Sequence, residues 1–218
     1  MHRSERWHVR RALFVVILFF IKPLVMMLFT MKVIGREHVP NDEAAILLSN
    51  HISNFDPVAV GIGVAPDELR YLAKEELFKN ILFRWLIIFF GAFPIRRGSI
   101  DRGSLKITFD ILSQKKQLLT FPEGTRGDGI TINPAKPGIG MILYQSRVKA
   151  IPVFIKGSNN VLPRKAKFLY FRHLEVRYGE PLSLEKYFEM PAERKTYDLI
   201  TEEVTRGMRE LAKGAGSE

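Results

Sequence analysis

Apolar residues occur in two patterns along this chain. The first is short and continuous, closed by turn residues: AAILL at 44–48, QLLT at 117–120 and KAIPVFIKG at 149–157. Runs of that length predict strands buried on both faces, as in a parallel sheet covered by helices. The second is spaced. Leu105, Phe109 and Leu112 fall on one helical face, and Tyr197, Ile200, Val204, Met208 and Leu211 recur at three- and four-residue steps. Those spacings predict amphipathic helices over 104–116 and near the C-terminus, the latter covering the core and followed by a polar tail, KGAGSE.

The remaining segments fill in between these. VAVGIGVA (58–65) reads as a helix or buried segment, and PGIGMILYQSR (137–147) as a helix. LRYLAKEELF (69–78) leads into ILFRWLIIFFGAF (81–93), either a buried helix or a surface that touches lipid. FPIRRG (93–98) reads as a strand and turn. KFLYFRHLEVRYGEP (167–181) is a β-type run closed by a Gly-Glu-Pro turn. Strands alternating with helices predict an α/β fold, a mixed, largely parallel sheet flanked by helices.

The N-terminus differs from the rest. MHRSERWHVRR (1–11) carries four arginines, and Ala12–Phe29 is then apolar except for Lys22 and Pro23. TMKVIGREHVP follows without a small-x-small cleavage site, which argues against a secreted precursor. Eighteen residues of helix reach about 27 Å, near the ~30 Å hydrocarbon core. A lysine and a proline in the middle disfavour a straight span. The expectation is a membrane-associated helical segment over 1–31, built as two short helices hinged at Lys22-Pro23 and lying in one leaflet. A single tilted span is the alternative. Residues 32–218 would then form the second, catalytic domain.

Composition narrows the chemistry. Among 218 residues there is no cysteine, which excludes disulfides, thiolate metal sites and a cysteine nucleophile. A net charge of +10 points to a polyanionic partner. The apolar, arginine-flanked N-terminus makes anionic membrane lipids on the cytoplasmic face of the cell membrane the better expectation, and nucleic acid the poorer one. PRKAKFLYFRH (163–173), where bases alternate with aromatics, reads the same way.

Three strand-like runs end in chemistry-bearing residues, and ligands of open α/β sheets sit outside the carboxyl ends of strands. His51 follows AAILLSN, and Asp56 stands five residues later. A neutral imidazole is a competent base when a carboxylate holds its far nitrogen. Taken alone, an HxxxxD pair arises easily in a solvated loop. FPEGTRGDG (121–129) combines glycines that admit a ligand to the backbone with Thr125 and Arg126, donors suited to phosphate. Glu123 is the odd member there, better explained as binding a substrate hydroxyl or orienting arginines. Of Arg96 and Arg97, neighbours on a strand, one faces a site and the other solvent or head groups. Lys74 is a further candidate phosphate contact, with an exposed helix lysine the plainer reading. IPVFIKGS (151–158) reads as a wall of the core beside the site.

Taken together, NHxxxxD at 50–56, GxFPIxR from 91, FPEGTR at 121–126 and the Ile-Pro strand from 151 resemble the glycerophospholipid acyltransferase family, and most closely its 1-acyl-glycerol-3-phosphate acyltransferase branch. AKEELF, KPG at 136–138 and YGEP at 178–181 extend the likeness over roughly residues 35–180. The resemblance implies a glycerolphosphate-acyltransferase-like α/β fold, no metal and no cofactor. The implied substrates are lysophosphatidate and an acyl thioester, either acyl-CoA or acyl carrier protein. It implies His51 as base and Asp56 as its holder, with Arg97, Glu123, Gly124, Thr125 and Arg126 at the glycerol-phosphate positions. Arg96 departs from the pattern, standing where an acidic residue is often found. Glycerol-3-phosphate or another lysophospholipid is the alternative acceptor. A hydrolase built on Ser49 or Ser53 lacks a GxSxG elbow, and a non-catalytic membrane or nucleic-acid binder would need only the charge.

Overall fold

The computed structural model describes residues 3–65, 69–79, 81–89, 91–95, 102–166 and 168–215. Helix α1 (Arg3–Leu28) leads to strands β1 (Lys32–Ile34) and β2 (Ala45–Ser49) and helix α2 (Asp56–Val64). Then come β3 (Leu69–Lys74), α3 (Ile81–Phe89), β4 (Ala92–Ile95), α4 (Arg102–Ser113) and β5 (Gln117–Thr120). The chain continues through α5 (Gly138–Ser146), β6 (Lys149–Lys156), the short α6 (Ser158–Val161) and β7 (Glu175–Tyr178). It ends with a short α7 (Glu185–Phe188) and the long α8 (Arg194–Gly214).

The strands form one seven-stranded sheet in the order β1-β7-β6-β2-β5-β3-β4. Its pairings are parallel except β6 with β7, so the sheet is mixed and largely parallel. The central strands are apolar on both faces because both faces are covered. Successive side chains alternate: Leu47, Leu119, Ile151 and Val153 meet α1 and α2 on one side. Ile46, Leu48, Leu118 and Ala150 meet α4, α5 and α8 on the other. Register aligns Leu48 with Thr120 of β5 and Ser49 with Val153 of β6, so β6, β2 and β5 are neighbours ending at one carboxyl edge.

Four expectations need correction. The first is the Lys22-Pro23 hinge: Pro23 lies inside a single helix, α1. Proline in a helix interior costs about 3 kcal/mol. Here Leu18 and Ile21 before it, and Val25 and Met26 after it, pack into one core. Lys22 Nζ also donates to the Ala65 carbonyl at 2.9 Å, at the C-terminal end of α2. Both halves are therefore docked on the same surface and belong to one continuous helix. Among the described residues, no helix is long and apolar enough to cross a membrane.

The second concerns 167–181. Among its described residues only Glu175–Tyr178 is strand; Phe168–His173 is an exposed, unladdered segment. Its aromatics mimic β-propensity, but their side chains have no sheet neighbour to pack on. The third is local. Lys74 ends strand β3, paired with Ile95, and is not on a helix; the reach of its side chain lies outside the described residues. At the C-terminus, α8 runs through Gly214, and Lys156 Nζ and Arg177 Nη1 donate to the carbonyls of Ala215 and Gly214. Cations suit the negative end of a helix, so Lys213–Ala215, the part of KGAGSE among the described residues, is anchored structure.

Candidate active site

The exit of β2 is fixed before any chemistry begins. Asn50 is buried, and its side chain continues the sheet: Oδ1 accepts the Ile155 amide at 2.7 Å and Nδ2 donates to the Ile155 carbonyl at 3.0 Å. His51 is the next residue out. Its amide donates to Glu123 Oε1 at 3.2 Å, and its carbonyl accepts the Gly127 amide at 2.7 Å. The imidazole stacks on Phe121, centroids 4.2 Å apart and planes 23° from parallel. Backbone and ring are thus clamped between the ends of β2 and β5.

Asp56 opens α2 after a tight turn. Its carboxylate is fully buried and takes every donor around it. Oδ2 accepts His51 Nδ1 at 2.8 Å, the Ile52 amide at 2.7 Å and the Ser53 amide at 2.8 Å. Oδ1 accepts the Ser158 hydroxyl. With both oxygens engaged, the group is an acceptor, which assigns the hydrogen to Nδ1 of His51. Nε2 then carries the lone pair, and among the described residues it has no partner. The ring retains 22% exposure, enough for a ligand to reach that nitrogen.

The third motif wraps this pair. Glu123 is almost wholly buried; Oε2 accepts the Asn133 amide at 3.0 Å and its side-chain nitrogen at 2.9 Å, while Oε1 holds His51. Its oxygens therefore tie the histidine backbone to the far end of the loop. Gly124 adopts φ 74°, a left-handed turn that favours glycine. Thr125 is exposed and Arg126 half-buried, and Arg126 has no partner among the described residues. Asp128 accepts the amides of Thr131 at 2.9 Å and Ile130 at 2.8 Å, which hold its carboxyl below the usual carboxylate range and shape the turn leading to Asn133. Arg97 and Arg96 lie outside the described residues.

The structure thus brings His51, Asp56, Glu123, Gly124, Thr125 and Arg126 to one sheet edge. Sequence reasoning missed Ser158, Asn50 and Asn133. Ser158 is fully buried two residues after β6, so its hydroxyl reaches a carboxylate 102 positions earlier in the chain. A polar residue directly after a buried strand was its one available signal. Ser49 and Ser53 turn to the carbonyls of Asn50 and Leu162 and leave the histidine alone, as turn and cap residues do. Among the described residues no cluster of His, Asp and Glu has the makings of a metal site.

A largely parallel α/β sheet, with a carboxylate-held imidazole at the carboxyl ends of its central strands, defines a scaffold for taking a proton from a bound ligand. The acyltransferase family model matches residues 30–156, and the chain belongs to the acyltransferase family. It is similar to the 1-acyl-sn-glycerol-3-phosphate acyltransferase of Bacillus subtilis, 27% identical over 83% of this chain and 87% of that protein. A Streptococcus pneumoniae protein of the same name is 30% identical over 72% of this chain, which spans 57% of its length. The crystal structure of the 1-acyl-sn-glycerophosphate (LPA) acyltransferase PlsC from Thermotoga maritima superposes with a TM-score of 0.68 at 27% identity. That match covers 97% of this chain and 83% of the Thermotoga one, so the fold expected from the motifs is the fold found.

Proposed function

We propose that this chain transfers a fatty acyl group from an acyl thioester to the free hydroxyl of 1-acyl-glycerol-3-phosphate, giving phosphatidate. The observation that carries the reading is the 2.8 Å bond from His51 Nδ1 to a fully buried Asp56, which leaves Nε2 as a base beside the FPEGTR loop. The relatives named above support the choice of acceptor.

Nε2 takes the hydroxyl proton as the oxygen attacks the thioester carbonyl. The tetrahedral intermediate collapses by breaking the carbon–sulfur bond, and the imidazolium returns the proton to the leaving thiolate. Asp56 stabilises the imidazolium between those steps. Arg126 and Thr125 bind the phosphate, with Arg97 and Lys74 assigned to the same headgroup. Glu123 and Gly124 shape the loop that presents them. The amides of Thr125 and Arg126 hold no hydrogen bond among the described residues and are donors open to the oxyanion. The reaction needs no cofactor beyond its acyl donor, acyl-CoA or acyl carrier protein, and takes place at the cytoplasmic face of the cell membrane.

The test is phosphatidate formation by purified protein in detergent, with each donor and with wild type, His51→Ala and Asp56→Asn. Wild type should turn over lysophosphatidate with at least one donor, and His51→Ala should be inactive. Transfer to glycerol-3-phosphate in place of lysophosphatidate would move the acceptor. No product from any acceptor or donor would sink the reading.

A further inference from the structure

Phe121 lays its ring face on the imidazole of His51, and other aromatic contacts in the chain are made differently. Phe29 meets Phe55 at 50° and Tyr144 meets Tyr197 at 63°, tilted or edge-on. The His51 and Phe121 rings lie 23° from parallel, with centroids 4.2 Å apart. That is inside the roughly 4.5–7 Å usual for aromatic pairs. Two neutral rings tolerate such a stack. It becomes strongly attractive once one ring is positive, because the face of a phenyl ring carries negative charge.

Phe121 is built as a platform. It follows Thr120, the last residue of β5, and precedes Pro122, which restricts its backbone to extended conformations. Its carbonyl accepts the Gly124 amide at 3.0 Å, and its side chain packs on the core beneath α1 and α2. The ring therefore has little freedom to swing away when His51 changes charge. Among the described residues the imidazole has two hydrogen-bonding or ring partners: Asp56 at the Nδ1 edge and Phe121 on the face. The ionisable groups on the elements around it are Asp56 on α2 and, on the loop after β5, Glu123, Arg126 and Asp128; α6 carries none. Glu123 is spent on the His51 amide and Asn133, and Asp128 on the amides of Ile130 and Thr131. The face of the ring is left to Phe121.

We propose that Phe121 is a positioning residue with an electronic role: its ring face stabilises the imidazolium that forms when Nε2 takes the hydroxyl proton, until that proton passes to the leaving thiolate. The inference rests on His51 being the base of the proposed transfer. A cation within about 6 Å of a phenyl centroid is attracted to it, more so where water is partly excluded.

Fluorine withdraws charge from the ring face and barely changes its shape, so Phe121 is replaced by mono-, di- and trifluorophenylalanine. The same replacements at Phe154, buried on the other face of the sheet, serve as control. Single-turnover rates with lysophosphatidate and an acyl thioester should fall at each step, by about 2- to 30-fold over the series. The half-saturating lysophosphatidate concentration and the melting temperature should show no such trend. The pH at which the Cε1 proton of His51 titrates by NMR, its signal identified by loss in His51→Ala, should fall along the same series. Phe121→Leu should lose at least as much rate as the trifluoro chain, and Phe121→Tyr should stay near wild type; the fluorinated series carries the test should Phe121→Leu melt early. A titration that ignores fluorination would overturn the inference. So would rates that fall only with melting temperature, or that fall equally for Phe154. An active wild type with a flat Phe121 series refutes the role of Phe121 alone. An inactive wild type whose His51 titration still follows fluorination refutes the proposed transfer and upholds the stabilisation of the imidazolium.

Discussion

Asp56→Asn isolates the charge beneath the histidine. The amide oxygen can replace Oδ2, keeping the Ile52 and Ser53 amides and the ring N–H. Its NH2 group then faces Ser158 Oγ, which can accept by turning its own hydrogen away. Geometry is conserved and one negative charge is lost. With Nδ1 2.8 Å from Oδ2, the charge centres of an imidazolium and this carboxylate lie roughly 4 Å apart. At an effective dielectric of ~20 their attraction is about 4 kcal/mol. The neutral ring of the resting site does not feel it, so the loss falls on the transition state. The expected result is a kcat lower by about a thousandfold, with KM for lysophosphatidate little changed. Initial rates of phosphatidate formation at saturating acyl thioester measure it. A thermal melt alongside should show a shift of only a few degrees or less, roughly what 1 kcal/mol produces. If kcat falls by less than about tenfold while His51→Ala is dead, the carboxylate only orients the ring, and the electrostatic argument is refuted.

Three further outcomes follow from the same geometry. Ser158→Ala leaves a buried carboxylate oxygen without its donor, so denaturant titration should show a loss of about 1–3 kcal/mol. Its kcat should also fall, with KM unchanged, because the hydroxyl acts through Asp56 and does not touch substrate. Gly124→Ala should cost about 1–2 kcal/mol from its left-handed φ alone; a Cβ there would meet Lys136 carbons at 3.5 Å, an ordinary contact, so the effect carries no clash. Arg126→Ala should raise KM for lysophosphatidate by roughly 10- to 100-fold, the worth of one charged hydrogen bond of about 1.5–3 kcal/mol. Transfer to a monoacylglycerol, which has no phosphate, should be unaffected in steady-state assays.

What was legible in the sequence was whatever a short window contains. AAILL, QLLT and KAIPVFIK read as buried strands because a sheet covered on both faces leaves no polar position to blur them. His51 and Asp56 share one turn, so their pairing was open to a local reading. The apolar face of α8 is local in the same sense. The misread parts depend on contacts made at a distance. A Lys-Pro pair reads as a hinge until both halves of α1 are seen on one core, with Lys22 spent on the end of α2. For Glu123, what stayed hidden is the amide of His51, 72 positions away, on its oxygen. Ser158 and Asn50 are ordinary polar residues until the register of β6 against β2 brings them to Asp56 and to Ile155. The local motif therefore specifies a base and its carboxylate. The turn itself supplies three donors to that carboxylate, and the fourth, Ser158 just past the neighbouring strand β6, stands at a distance in the chain that bears no relation to the chemistry it supports.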